Sequence, residues 1–463
     1  MNSQDTIVAL ATPQGVGAIG VIRLSGSKAI SITQSVWRGK DLTLQSSHTI
    51  HYGHIVDGEK ELDEVMVSLF RAPRSFTTED VVEISCHGSQ YILDQILKLL
   101  VRNGAQMAQP GEFTMRAFLN GRIDLSQAEA VADTIAVESE AAHRVAMQQM
   151  RGGISSKLRG LRTSLIEFAA LIELELDFAE EDVEFADRNK FKALLMHLKS
   201  ELALLISSFK YGNAVKNGIP VAIIGKPNAG KSTLLNGLLN EERAIVSEIA
   251  GTTRDTIEET LTIDGHLFRL IDTAGIRDTT DTIERLGVER SREKISQAEI
   301  ILYLYDYTTT SPELAFTDMN ELRLPKDKTI VLANKADLED RDGGGWSEKS
   351  FFANFGYEYF SFLIALREES ISHVKKLLIS MVKGDAARYQ SSVVITNQRH
   401  YEELKEAFMA IEAVLEKIEQ GISSDFISQD IKSAIRHLGQ ITGDIEIDRD
   451  ILGTIFSKFC IGK

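Results

Sequence analysis

The segment Gly225-Lys226-Pro227-Asn228-Ala229-Gly230-Lys231-Ser232 comes directly after the apolar run Pro220-Val221-Ala222-Ile223-Ile224 and leads into the helix-like Thr233-Leu234-Leu235-Asn236. A strand, a glycine-bearing loop and a helix start, in that order, make a phosphate-binding loop. Backbone N–H groups from Asn228 to Thr233 can wrap the phosphates, and the helix N-terminus adds positive potential. Lys231 reaches the outer phosphates and the Ser232 hydroxyl can ligate Mg²⁺. The motif alone can arise by chance, so its weight depends on partner motifs elsewhere in the chain.

Two further elements arrive in the order a guanine-nucleotide enzyme needs. Leu270-Ile271-Asp272-Thr273-Ala274-Gly275 puts a carboxylate at the end of an apolar strand, where it can hold the Mg²⁺ shell, and a glycine whose N–H can meet the γ-phosphate. Asn334-Lys335-Ala336-Asp337 succeeds a second apolar run, Thr329-Ile330-Val331-Leu332-Ala333. The Asp337 carboxylate only accepts hydrogen bonds, which suits the N1–H and N2–H₂ donors of guanine and not adenine. The expected ligand is GTP rather than ATP.

At 463 residues the chain is long enough for two to four domains. No run approaches the ~18 consecutive apolar residues of a membrane span, and the start Met1-Asn2-Ser3-Gln4-Asp5 lacks the basic opening of a secretory signal. A cytoplasmic protein without membrane contact is the expectation. Cys86 and Cys460 are too few for a disulfide framework, and both are expected to be reduced. With 51 basic against 67 acidic residues the net charge is -16, so any RNA contact must be local or shared. Candidate basic clusters are Arg116 with Arg122, and Arg151, Lys157, Arg159 and Arg162, the second reading better as a solvated helix face.

Periodicity organises the rest. Residues 1–120 mix β-like runs (6–10, 19–22, 81–84) with a helix-like run at 91–100, an α+β pattern. Ser126-Gln127-Ala128-Glu129 fits a capping box, and Ala128, Val131, Ala132 and Ile135 then share one helical face. Leu161, Leu165, Phe168 and Ile172 continue the helical spacing, and Leu404, Phe408, Ile411, Leu415 and Ile418 resume it after the nucleotide motifs. Neither helical block is complete alone. The expected fold is therefore multidomain: an α+β N-terminal domain (1–120), an all-α domain in two parts (121–215 and 384–463), and an α/β P-loop GTPase domain inserted at 216–383. Gly343-Gly344-Gly345 is expected to be a mobile surface loop.

Some signals lead elsewhere and carry less. Gly15-Val16-Gly17-Ala18-Ile19-Gly20 satisfies the dinucleotide pattern, yet Val21-Ile22-Arg23-Leu24 looks like a second strand, so the glycines are expected to make a tight turn between strands. Cysteine four residues from the end does not read as a prenylation site with Gly462 and Lys463 after it. His87 and Cys86 are adjacent in a β-like run and point to opposite faces, so a catalytic pair is not expected.

The loop Gly225–Ser232, the segment Asp272–Gly275, Gly251-Thr252-Thr253-Arg254-Asp255 and the ending Phe459-Cys460-Ile461-Gly462-Lys463 together resemble the MnmE (TrmE) family of tRNA-modification GTPases, over essentially the whole length. The resemblance implies a homodimer whose N-terminal domain binds a tetrahydrofolate derivative (5-formyl or methylene). It also implies work with the flavoprotein MnmG (GidA), in a heterotetramer with FAD on the partner only, to install an aminomethyl-type group on carbon 5 of the wobble uridine of certain tRNAs. By position, Arg23, Glu83, Arg122 and Lys463 would contribute to folate binding: basic groups pair with a glutamate tail and a carboxylate suits pterin N–H donors. Arg122 stands where the family often has Lys, and Ile364 of Ile364-Ala365-Leu366 where its base-contacting loop usually has Ser. Cys460 would either activate the one-carbon unit as a thiolate or pack near the folate.

Small signalling GTPases place a water-orienting Gln directly after the segment matched by Asp272–Gly275; here that residue is Ile276, which cannot orient water. The resemblance points instead to Glu284 as the catalytic residue. It points also to K⁺ held by Asn228 and the loop Ser247-Glu248-Ile249-Ala250-Gly251-Thr252, with Ser247 and Ile249 giving carbonyls, Thr252 a further K⁺ ligand, and Thr253 completing the Mg²⁺ site. A ribosome-assembly GTPase with no modification chemistry is the competing expectation; such proteins usually append an RNA-binding module, whereas this chain returns to helices.

Overall fold

A computed structural model describes residues 5–177, 188–240, 259–271, 292–337, 345–389, 393–422 and 424–445, with Leu452, Ile455, Phe456, Phe459 and Gly462 near the C-terminus. The chain divides into two compact units, one of residues 1–136, 146–199 and 403–463, the other of residues 137–145 and 200–402.

The first unit opens with β1 (Ile7–Leu10), β2 (Ile19–Ser25), α1 (Ala29–Ser35), β3 (Trp37–Arg38), β4 (Thr49–Asp57), β5 (Lys60–Phe70), β6 (Val81–His87), α2 (Gln90–Arg102), β7 (Gln106–Met107) and α3 (Glu112–Leu119). The strands form one sheet in the order β3-β4-β5-β6-β2-β1-β7, antiparallel except for the β1–β7 pair. Strand alternation explains how it is held: Ile22, Leu24, Val67, Leu69, Val82 and Ile84 point inward and are fully or nearly fully buried with Ile96 and Leu100 of α2. The opposite face carries the row Ile50, Ser68, Glu83 and Arg23 across four strands.

The glycines between β1 and β2 lie in a connection of residues 11–18, longer than the tight turn expected, and none opens a helix. Gly20 sits inside β2, where a Cβ would come within 2.6 Å of Leu93 Cδ2. Cys86 is buried and His87 exposed, so the two do face apart.

Helices come next: α4 (Leu125–Ile135), α5 (Glu140–Met150), α6 (Gly153–Asp177) and α7 (Arg188–Asn217). The α4 N-terminus departs from expectation. Asp124 is the cap, accepting from Gln127 N–H while the Gln127 side chain returns to Asp124 N–H, so the box starts two residues earlier than Ser126. Ser126 instead donates to Asp124 inside the first turn. Ile135, expected on the buried face, is 46% exposed because it is the last residue of the helix. Toward the C-terminus come α12 (Gln398–Glu419) and α13 (Ser424–Thr442), and α13 packs along α6. On α12 the fully buried stripe is Leu404, Ala407, Ile411 and Val414, with Phe408, Leu415 and Ile418 half-buried beside it.

The second unit contains β8 (Ile219–Ile224), α8 (Lys231–Asn240), β9 (Glu259–Ile263), β10 (His266–Leu270), β11 (Ile300–Asp306), α9 (Pro312–Glu321), β12 (Thr329–Asn334), α10 (Gly345–Asn354), β13 (Tyr359–Leu363) and α11 (Glu368–Tyr389). Its sheet runs β13-β12-β11-β8-β10-β9, parallel except for β9 against β10. The central strands are apolar throughout, as a sheet covered on both faces demands. Their carboxyl ends therefore meet at one edge, at residues 224, 306, 334 and 363.

Within this unit Gly212 of α7 faces the chain at Val394 and Ile395; an added Cβ would fall 2.5 Å from Val394 Cγ1 and also against the Ile395 carbonyl. Alanine would gain about 1 kcal/mol of helix propensity but overpack a backbone group that cannot rotate away, at about 1–3 kcal/mol. Gly212→Ala should therefore lower the thermal unfolding midpoint; an unchanged or raised midpoint in a melting scan would show that the neighbouring chain yields.

Candidate nucleotide site at the sheet edge

At the end of β8 the chain must turn sharply into α8. Gly225 has φ 153° and presses on the Leu304 carbonyl, and Gly230 has φ 99° beside the Asn334 amide, so neither position has room for a side chain. Asn228 between them is held at φ 63°, a left-handed conformation that Asn tolerates better than most residues. The loop then delivers Lys231 and Ser232 to the first turn of α8, where the helix N-terminus favours an anion.

Lys231 Nζ donates to the carbonyls of Gly225 and Lys226 at 2.7 and 2.8 Å, curling over its own loop. Burial, with the charge of Lys294 second, holds its ammonium below the ordinary lysine value. A polyphosphate arriving here would offset both effects, since an opposite charge stabilises the ammonium that burial and a like charge disfavour.

Asn334 ties this loop to the other side of the site. Its Nδ2 donates to the Ala229 carbonyl at 2.8 Å, and its Oδ1 accepts from the Ala365 N–H at 3.2 Å, both in buried positions. One side chain thus fixes the phosphate loop against the turn Ile364-Ala365-Leu366. Ile364 is half-buried and Leu366 is 86% exposed, and the Ala365 N–H is already taken by Asn334. Lys335 has φ 65° and its Nζ lies 2.6 Å from Asp306 Oδ2; Asp337 is exposed at the mouth of the same loop. Burial pushes the Asp306 carboxyl up, but hydrogen bonds from Lys335 and Thr308 outweigh it and hold Asp306 below its ordinary value.

The structure thus brings together Asn228, Ala229, Gly230, Lys231, Ser232, Thr233, Asn334, Lys335 and Asp337 at one edge of the sheet. Ser247, Glu248, Ile249, Ala250, Gly251, Thr252, Thr253, Asp272, Thr273, Ala274, Gly275 and Glu284 lie outside the described residues, as do Gly343, Gly344, Cys460 and Lys463. Asp306 was not among the expected residues. It stands 29 positions before Lys335, and no local pattern links the two.

In the first unit, Arg23 on β2 and Glu83 on β6 are register partners and form an ion pair, with Arg23 NH2 and Nε at 2.8 and 2.9 Å from the same oxygen, Oε1. Arg23 also donates to the Gly462 carbonyl at 3.4 Å and stacks over the Phe113 ring at 5.7 Å. Arg122 is exposed and lies 5.5 Å over Phe76, which packs on the small cluster of Ile7, Ala9, Ala108 and Phe113. Two arginines therefore rest on two aromatics of one cluster. Phe76 and Phe113 were missed because nothing in their spacing joins them.

Arg116, expected with Arg122 as an exposed basic pair, is instead buried. It bridges Glu79 at 3.1 Å and Glu112 at 3.0 Å and donates to the Asp5 carbonyl, so it has no charge to offer RNA. Arg159 pairs with Asp124 and Asp444, and Arg162 approaches Asp444, so these two serve the helical packing while Arg159 stays half exposed. Cys86 is a free thiol; burial, with the Asp63 charge second, pushes it up to about 11, which leaves it inert at neutral pH.

Comparison with known proteins agrees with this layout. The family model described as the MnmE helical domain matches residues 125–460, and the one described as the GTP-binding protein TrmE N-terminus matches residues 6–122. The tRNA modification GTPase MnmE of Cytophaga hutchinsonii is 52% identical over 100% of this chain and 98% of its own length. That of Flavobacterium johnsoniae is also 52% identical, over all of both chains, and that of Bacteroides thetaiotaomicron is 51% identical over the same share. The chain belongs to the MnmE family. It is a multidomain GTP hydrolase that acts in tRNA modification. Among solved structures, the FeoB G-domain from Methanococcus jannaschii is 21% identical over 36% of this chain and 97% of that one, with a TM-score of 0.25. No helix among the described residues is long and apolar enough to cross a membrane.

Asn334→Ala would leave the Ala229 carbonyl and the Ala365 N–H without this partner, at about 1–3 kcal/mol for each buried group. The expected outcome is a lower unfolding midpoint together with weaker binding of both GTP and GDP. Equal affinity for both nucleotides in a fluorescence titration of parent and variant would mean that the bridge does not organise the site.

Proposed function

We propose that the protein is a K⁺-dependent GTPase that, with a flavoprotein partner of the MnmG type, modifies carbon 5 of the wobble uridine of certain tRNAs using a tetrahydrofolate one-carbon unit. The observation that carries the folate half is the Arg23–Glu83 pair beside the Gly462 carbonyl. Both Arg23 contacts fall on Oε1, so Glu83 Oε2 can accept from the donors of a pterin edge. Arg122, exposed over Phe76, is suited to a glutamate tail. Lys463 comes directly after Gly462, and Cys460 would sit within two residues of that carbonyl, in a positioning or thiolate role.

In the GTPase half, Lys231 would neutralise the outer phosphates and Ser232 with Thr253 would hold Mg²⁺, with Asp272 in its outer shell. Asp337 would read guanine. Asn228, Ser247, Ile249 and Thr252 would hold K⁺ as a stand-in for an arginine finger, and Glu284 would orient water. The N-terminal domain is taken as residues 1–120, the helical domain as 121–215 with 384–463, and the GTPase domain as 216–383, in the cytoplasm.

A homodimer is supported by the outer face of the β4–β5–β6–β2 sheet, where Ile19, Ile50, Tyr52 and Met66 are 50–65% exposed on the face that carries Arg23 and Glu83. Apolar side chains gathered on one sheet face mark an interaction surface.

Arg23→Ala with Glu83→Ala should abolish calorimetric binding of 5-formyltetrahydrofolate and leave wobble uridine unmodified in a nucleoside inventory, while GTP hydrolysis persists. Folate binding by the double variant would defeat the assignment. For the ion, Asn228→Gly keeps the left-handed backbone that the loop needs and removes only the side-chain ligand. It should erase K⁺ stimulation, on the order of 10³ in rate, with nucleotide affinity little changed. Equal turnover of the parent protein in Na⁺ and K⁺ would exclude the ion's role.

A further inference from the structure

Asp306 is the last residue of β11 and pairs in register with Asn334, the last residue of β12. Its carboxylate is held from two directions. Lys335 Nζ lies 2.6 Å from Oδ2, and Oδ1 accepts from the Thr308 N–H at 3.0 Å and the Thr308 hydroxyl at 2.7 Å. The side chain of Asp306 is only 14% exposed, and that of Lys335 33%, so the pair is sheltered where salt and water weaken it less. Lys335 also holds φ 65°, a conformation that costs a residue with a Cβ and persists where its surroundings fix it.

We infer that Asp306 is a positioning residue for guanine recognition: by pinning Lys335 Nζ it stretches the lysine stem across the loop between Asn334, which is tied to the phosphate loop, and Asp337. The inference rests on the reading of Asp337 as the acceptor for guanine. An unpinned lysine samples many rotamers, and ordering it on binding would weaken affinity; a pinned one presents its methylenes as a wall for the base in advance. The same ion pair neutralises a carboxylate at the sheet edge, next to a site that must receive a polyphosphate.

The test is titration of the full-length protein with a fluorescent GDP, comparing Asp306→Ala, Asp306→Asn, Lys335→Ala and the Asp306→Ala, Lys335→Ala pair, each with a thermal melt. Asparagine is nearly isosteric and can still accept from Thr308, but it lacks the charge that holds Lys335. Both Asp306 variants should weaken GDP about tenfold, and the double variant should bind no worse than Lys335→Ala alone. The inhibition constant of inorganic pyrophosphate, which lacks a base, should not weaken in either Asp306 variant. Parental affinity in Asp306→Asn would assign the effect to the Thr308 turn and overturn the inference, as would additive losses or an equal loss of pyrophosphate affinity. Failure of the parent protein to prefer GDP over ADP would instead bring down the guanine reading of Asp337, and the role of Asp306 with it.

Discussion

The nucleotide site depends on the Asn334 side chain. A parallel sheet leaves its strand ends as separate loops, and nothing in the sheet's own hydrogen bonds fixes one loop against the next. Asn334 supplies that connection with one donor and one acceptor, binding the Ala229 carbonyl on one side and the Ala365 N–H on the other. Gly230 must lack a side chain because the Asn334 amide occupies the space a Cβ would take. The glycine and the asparagine, 104 positions apart, are therefore one structural unit.

Much of this was legible in the sequence, where the signal is local. The turn from β8 into α8 is specified by Gly225, Gly230 and the apolar run before them, all within a dozen positions. The strand ending at Asn334 announces itself by an unbroken apolar run, which in a covered parallel sheet needs no alternation. Glu83 and Arg23 could be named only through the family likeness, since a single Arg and a single Glu among 118 charged residues carry no pattern. Their register pairing on β6 and β2 is what brings them together.

What was not legible is pairing at long range. Arg116 looks in sequence like any other helix-surface arginine, three positions before an exposed Leu119. It is buried because Glu112, one turn earlier on α3, and Glu79, from a distant loop, both converge on it. A buried charge survives only with such partners, and a sequence does not reveal which carboxylates arrive. The capping of α4 shows the same limit at close range. Ser126 and Asp124 both suit a cap, and the carboxylate holds it while the serine hydroxyl donates to Asp124 and meets Ser155.

The acidic balance of the chain, -16 overall, sharpens the question of how it receives polyanions. Long-range attraction cannot do it, because the mean field of such a protein repels phosphate and beyond about 8–10 Å salt screens what remains. Recognition must come from groups at contact distance: oriented N–H groups of the loop before α8, Lys231 held against its own carbonyls, and an Asp306 carboxylate cancelled by Lys335. The Arg23–Glu83 pair in the other unit is preorganised in the same way, with its arginine backed by an aromatic ring and its carboxylate held through one oxygen. Local preorganisation takes the place of a basic surface, and the sites can then be tuned by single residues without altering the charge that keeps the protein from binding nucleic acid indiscriminately.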